Sequence, residues 1–383
     1  MRDYHHQDID EETSKLLAGV VADNNPTSSN PSEKEIADNN PTGGNPDGKG
    51  THHNKMKRGT LFAIAILIVA AAVGAVYFSG ILAPGHSQAT PTALTTAPPN
   101  SSFTVATVPV GSGPTYATYD PANGYIYVSN LNASSVSVIS GTSTVAIVPV
   151  RSLPWYATYD PSNGYIYVPD VGSSNVSVIS GTSVVATVPV GSQPFSATYD
   201  SGNGYIYVPV SFAGNVSVIS GTSVVATVPV GSFPYSATYD PANGYIYVPD
   251  SVSGSVSGSV SVISGTSVVA TVPVGSFPRY ATYDPSNGYI YVPDPTGNVS
   301  VISGTSVVAT VPVGSQPLSA TYDPANGYIY VSNLNASSVS VISGTSVVAT
   351  VPVGSFPGYA TYDPSNGYIY VPDSGSDTVS VLR

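Results

Sequence analysis

From residue 104 to its end the chain has twelve Asp and three Arg (Arg151, Arg279, Arg383), and no Lys, Glu, His, Cys or Met. Nucleophilic and acid–base catalysis draw mostly on the residue types missing here, so any such chemistry in this region would fall to Asp. Asp120, Asp160, Asp200, Asp240, Asp284, Asp323 and Asp363 each stand four residues before a Gly, and each precedes Pro or Ser. That spacing is turn chemistry, in which the carboxylate accepts from the backbone of its own turn. A residue required seven times is scaffold. A second set, Asp170, Asp250, Asp294 and Asp373, follows a "YVP" run in four places only and could offer oxygen ligands to Ca²⁺. The simpler reading is a loop-start residue after proline. No cofactor is expected: there is no CxxCH, and without His or Met in this region haem has no axial ligand. The chemistry therefore points away from an enzyme.

Charge and hydropathy divide the chain. Residues 1–58 hold ten acidic and seven basic side chains and too few apolar ones to fold, and read as a disordered cytoplasmic tail. Residues 59–83, "GTLFAIAILIVAAAVGAVYFSGILA", run without a charge for longer than the roughly 20 residues a bilayer needs. Lys55, Lys57 and Arg58 precede this run, which predicts one transmembrane helix with its N-terminus inside and all that follows outside. A cleaved signal peptide starting at Met56 would export the same region. Residues 84–103 are rich in Pro, Thr and Ser and read as an extended stalk. The net charge is −12, of which −9 falls in 104–383, so nucleic acid is not an expected partner. Six N-x-S sequons, at Asn100, Asn132, Asn175, Asn215, Asn298 and Asn335, are candidate glycosylation sites on an exported domain.

The elements that carry these residues come from a repeat. The Gly of "NGYIYV" recurs at 124, 164, 204, 244, 288, 327 and 367. One copy contains strand A "ATYD" (157–160), strand B "YIYV" (165–168), strand C "VSVIS" (176–180) and strand D "SVVATVPV" (183–190), joined by short turns. Such turns predict an antiparallel meander. Every strand D carries a proline, which confines it to an edge. Strand B is apolar on both faces, so each sheet must lie between two others. A repeat of about 40 residues with four strands is a propeller period. The region opens with a lone D-type strand, "TVATVPV" (104–110), and closes with a C-type strand, "TVSVLR" (378–383). The reading is all-β: a seven-bladed β-propeller over 104–383 with four-stranded antiparallel blades, closed by its N-terminal outer strand.

The stretch "GYIYVPDVGSSNVSVISGTSVVATVPVG" (164–191) resembles the YVTN-repeat family of β-propellers of archaeal and bacterial surfaces. "YVPD" or "YVSN" stands where that family has its name motif, and the C–D turn is shorter and less charged. The resemblance implies a propeller and a cell-surface role in surface layers or cell contact, and it implies no catalytic residue.

Variation between copies is confined to the D–A connections (GSGPTY, RSLPWY, GSQPFS, GSFPYS, GSFPRY, GSQPLS, GSFPGY) and the B–C loops, of which 249–259 is the longest. A meander places both on one face. Trp155, Phe195, Tyr235, Arg279 and Leu318 are the candidate ligand-binding residues, near the axis because strand A is innermost. Trp155, Tyr235 and Arg279 are expected to be exposed, whereas Phe233, Phe277 and Phe356, just before the prolines, are expected beneath the loop as core. The expected function is a membrane-anchored binding or adhesion module for a protein or glycan at the cell surface. A structural surface-layer component is the alternative, and an extracellular hydrolase or lyase a distant one.

Overall fold

The computed structural model describes residues 107–251 and 257–383. The expected tail, membrane helix and stalk, together with Asn100, lie outside the described residues. No helix among the described residues is long and apolar enough to cross a membrane.

The first sheet runs β1 (Pro114–Asp120), β2 (Tyr125–Asn130), β3 (Ser135–Ser140) and β4 (Ser143–Pro149), neighbour to neighbour and antiparallel. Five further sheets repeat this order, with the proline-bearing strand D always at an edge. The seventh has three strands, ending at Thr378–Leu382. The architecture is a β-propeller of seven antiparallel sheets.

Each A–B turn is built by its Asp and Asn. Asp160 Oδ1 accepts from the Ser162 N–H at 2.8 Å, the Gly164 N–H bonds the Asp160 carbonyl at 2.9 Å, and Asn163 Oδ1 accepts from the Tyr165 N–H. The turn reading of the seven repeated Asp therefore holds. Asn163 then donates to the Tyr167 hydroxyl at 3.0 Å, and Tyr167 donates to the Gly221 carbonyl of the next blade at 2.8 Å. Equivalent relays leave Tyr127, Tyr207, Tyr247 and Tyr291. Burial pushes the Tyr167, Tyr207, Tyr247 and Tyr291 phenols up to about 12, so they stay neutral donors. Nearer the axis, Thr Oγ1 of one strand A donates to the Ala carbonyl of the next, as in Thr158 to Ala197 at 2.7 Å.

The core lies between blades. Tyr127, Val136, Val138 and Val148 of the first pack on Ala157, Ile166, Val168 and Ile179 of the second. Five similar clusters join the following pairs. The expected closure falls partly on residues outside those described. Val379 and Val381 are 55% and 53% exposed, where their counterparts Val176 and Val178 are fully buried. Among the described residues no fourth strand pairs with Thr378–Leu382, because 107–110 form no ladder and 104–106 lie outside. Residues 109–111 nevertheless hold strand D contacts to the first blade. Thr144 Oγ1 donates to the Pro109 carbonyl, and the Gly111 N–H donates to Ser137 Oγ at 3.1 Å, as Gly354 does to Ser380 at 3.3 Å.

Strand A varies in length for a chemical reason. It spans Pro114–Asp120 and Pro317–Asp323 in two blades, but only two or three residues in the other five, as in Thr158–Asp160 and Thr198–Tyr199. In the two long cases strand B carries Ser129 or Ser332, paired with Tyr116 or Ser319. In the others that position is Pro169, Pro209, Pro249, Pro293 or Pro372, which has no N–H to offer.

The second Asp set caps strand B. Asp170, Asp250, Asp294 and Asp373 are buried, one to a blade, and bond to hydroxyls: Asp170 to Ser177 at 2.7 Å, Asp250 to Ser261 at 2.6 Å, Asp373 to Ser380 at 2.6 Å, and Asp294 to Thr296. In the two "YVSN" blades a neutral amide takes the same place, and Asn130 donates to Ser137 at 2.9 Å. Burial raises Asp170 to about 7 against the pull of Ser177 and Arg151, and it raises Asp250 as well. A carboxyl raised on folding binds its proton more tightly in the native state. Its stabilising effect is full below the unfolded pKa near 3.8 and is lost as pH climbs through the folded value. Asp363 is shifted the opposite way by Ser365 and is fully exposed, so it offsets little. Thermal unfolding should therefore show a higher Tm at pH 4 than at pH 8, with Asp170→Asn/Asp250→Asn flattening the difference. Cooperative unfolding between pH 4 and 5 would show that other carboxylates dominate.

Candidate functional site: the variable face

The D–A and B–C connections are zipped together within a blade. The Leu153 carbonyl accepts from the Val171 N–H at 3.0 Å, and the Gln316 carbonyl accepts from the Leu334 N–H at 2.9 Å. The residue before proline turns left-handed in six blades: Leu153, Gln193, Phe233, Phe277, Gln316 and Phe356 have φ between 51° and 60°, and the carbonyls of Leu153, Gln193, Gln316 and Phe356 accept from the B–C loop. Gly113 holds the equivalent place in the first blade at 69°. A bulky residue held so costs on the order of 1–3 kcal/mol, and such positions cluster where function requires them.

Burial reverses two expectations. Trp155 is only 2% exposed, its N–H bonded to the Pro169 carbonyl at 2.9 Å and its indole Nε1 buried without a partner. Phe277 and Phe233 are 51% and 37% exposed. Before proline the left-handed turn exposes Phe233 and Phe277 and leaves Leu153, Gln193, Gln316 and Phe356 half-buried, while after proline Trp155 packs inward. Phe195 is buried, Tyr235 and Leu318 are half-buried, and Arg279 is exposed.

Sequence reasoning missed Phe212, 48% exposed in the B–C turn and edge-on to Phe233 with ring centroids 5.9 Å apart. It also missed the tyrosines one position further along, Tyr116, Tyr156, Tyr280 and Tyr359. The signal was present, since blades with Ser there (Ser196, Ser236, Ser319) carry Phe195, Tyr235 or Leu318 just before it. Each blade thus sends at least one large side chain toward the axis. Phe195 stacks on Tyr235 at 4.6 Å, Tyr235 meets Tyr280 at 5.4 Å, Tyr280 meets Tyr359 at 5.3 Å, and Tyr116 meets Tyr156 at 4.6 Å. Burial raises the pKa of Tyr156, Tyr235, Tyr280 and Tyr359, and the Arg279 charge partly counters this for Tyr235 and Tyr359.

The sequons lie at the B–C connections. Asn132 and Asn335 are exposed, while Asn175, Asn215 and Asn298 begin strand C and donate into their own turns. Among the described residues no three His, Cys, Asp or Glu side chains gather as a metal site.

No family model and no curated sequence matches the chain. Solved structures do. Hydrazine synthase of Kuenenia stuttgartiensis aligns with a TM-score of 0.56 at 20% identity, over 74% of this chain and 98% of that one. A virginiamycin B lyase from Staphylococcus aureus gives 0.54 at 13%, over 70% and 94%. The C-terminal WD40 domain of Sif2 gives 0.55 at 12%, over 70% and 80%. At these identities the likeness is one of fold, and the fold hosts both enzymes and WD40 domains, so function must be argued from the site.

Replacing Phe277 by Gly, the residue type at the equivalent Gly113, should remove backbone strain and raise Tm. Trp155→Ala should destabilise by about 3–5 kcal/mol. Equal Tm values for both variants and the parent would show that the two side chains do not differ in burial as described. The described strands form a β-propeller, and among the described residues every Phe and the Trp lie in the D–A and B–C connections.

Proposed function

We propose that the protein is a cell-surface binding or adhesion module of the YVTN-repeat type, with the variable face as its contact surface for a protein or glycan. The observation that carries this reading is segregation. All five Phe and the single Trp from residue 107 onward sit in D–A or B–C connections, and three of those Phe are exposed. The scaffold elsewhere uses Val, Ile, Ala and Tyr. Exposed aromatics with an arginine among them are the composition of binding hot spots. Chain direction agrees. Strand D runs toward the variable face, so a tether reaching residue 107 joins the propeller from the uniform face of A–B and C–D turns.

A binding role is preferred to catalysis because the aspartates are committed to turns and caps. The surface-layer alternative draws on the outer edge strands, where Val185, Val225, Val269, Val308 and Val348 are exposed with no charged neighbour in the strand. Residues 104–110 are proposed to complete the seventh blade over Thr378–Leu382.

Capture of isolated cell envelopes by the full-length chain tests the face. Phe277→Ser and Arg279→Ala should each weaken capture at least roughly tenfold, while Thr182→Ser and Thr222→Ser in the uniform turns leave it unchanged. The reverse pattern would place the contact on the other face. Deleting 101–111 should lower Tm and promote aggregation through the open edge. An unchanged Tm would refute the closure.

A further inference from the structure

Five N-x-S sequons fall among the described residues, and their sequences do not rank them. The fold does. In three of them the asparagine opens strand C and is paired on both sides. Asn175 pairs with Asp170 and Pro189, Asn215 with Val210 and Pro229, and Asn298 with Asp294 and Pro312. Their carboxamides donate back to the Ser173 carbonyl, the Ala213 carbonyl and Thr296 Oγ1. The hydroxyl that completes each sequon lies two residues on, inside the central strand. Ser177, Ser217 and Ser300 are at most 2% exposed. Ser177 donates to Asp170 at 2.7 Å, and Ser217 to the Val190 carbonyl at 2.9 Å.

The other two sequons, Asn132-Ala133-Ser134 and Asn335-Ala336-Ser337, lie between strands B and C of the first and sixth blades. Asn132, Ala133, Asn335 and Ala336 are exposed. Ser134 and Ser337 are half-buried outside the ladder and turn left-handed, with φ of 48° and 46°. The asparagine backbones are held, since the Asn132 N–H donates to the Ser112 carbonyl at 3.2 Å and the Asn335 N–H to the Ser315 carbonyl at 3.3 Å. Among the described residues neither carboxamide has a hydrogen-bond partner.

A glycosyl transferase must enclose the acceptor carboxamide and the sequon hydroxyl together, which calls for a surface loop. Freeing both in strand C means pulling the central strand from its two neighbours, whereas the turns offer them with the blade intact. We propose that Asn132 and Asn335 are the N-glycosylation sites of the folded propeller, and that Asn175, Asn215 and Asn298 accept no glycan. The donor is a saccharide joined through pyrophosphate to a polyprenol. Asparagine Nδ2 bonds to the sugar C1, the C1–O bond to phosphate breaks, and the lipid pyrophosphate leaves with the electron pair. The amide proton passes to a base of the transferase. The spared sequons lie in the second, third and fifth blades, and Asn215 stands three residues after the exposed Phe212. Saccharides on the first and sixth blades leave Phe212, Phe233 and Phe277 bare. In the cell this rests on export of the domain, which transfer to the purified chain does not require.

The test incubates the folded full-length chain, and separately its chymotryptic digest, with a polyprenyl-pyrophosphate oligosaccharide. The oligosaccharyltransferase used is one that modifies all five sequons in the digest. Mass spectrometry then reads the occupancy of each site. In the folded chain Asn132 and Asn335 should fill, and the other three should stay at least roughly tenfold lower, because reaching them takes local unfolding. Comparable occupancy at Asn175, Asn215 or Asn298 in the folded chain would overturn the proposal. So would a folded chain that accepts nothing while its digest accepts at all five. Envelope capture by the modified chain should equal that of the bare chain, and its loss would show that the saccharides cover the contact surface. A chain isolated from cells without glycan, yet modified at Asn132 and Asn335 once purified, would count against export and leave the two sites standing.

Discussion

Everything in this domain depends on the seam between one blade and the next. A single four-stranded sheet of this sequence is apolar on both faces and cannot stand alone. It is stable only when Tyr, Val and Val of one blade meet Ala, Ile and Val of its neighbour. The polar relay from Asn163 through Tyr167 to Gly221 fixes the register of that packing at the rim. The Thr158 to Ala197 bond does the same toward the axis. The repeated phrase is so uniform because each copy must fit two others made of the same phrase. Val379 and Val381, in the last described strand, are the counterparts of Val176 and Val178 and call for the same cover.

The variable face is the part freed from this constraint. Loops there are tied to their own blade through backbone bonds, and they meet the next blade through side chains that vary from copy to copy, as Phe195 meets Tyr235. The chain keeps phenylalanine in a left-handed conformation at Phe233, Phe277 and Phe356, where glycine serves in the first blade. Glycine would fit with less strain and would present nothing. The tyrosines around the axis complete the surface from below, and their raised pKa values keep them neutral.

The aspartates show how one residue type is divided by environment. The seven in A–B turns accept backbone N–H groups and build geometry. The four at strand B ends are buried against hydroxyls, in sites that an amide fills equally well in two other blades. Burial favours the neutral form of two of these caps, Asp170 and Asp250.

The sequence by itself determined the period, the order of strands, the edge position of strand D, the turn role of the repeated Asp and the single face on which variation falls. Each is a local property of a short segment, repeated until chance is no longer an explanation. Only the tertiary structure decided which loop residues are exposed. Position relative to proline did not reveal that φ is positive before it, because that turn exists to reach a carbonyl across to the B–C loop, as Leu153 does to Val171. It also decided that Trp155 lies buried, that strand A lengthens where Ser129 replaces proline, and that the tyrosines of separate blades converge. Only the convergence of the tyrosines joins residues about 40 or more positions apart, through contact between repeats; the left-handed turn and the length of strand A are set between two loops or strands of one blade, a pairing that no short segment contains.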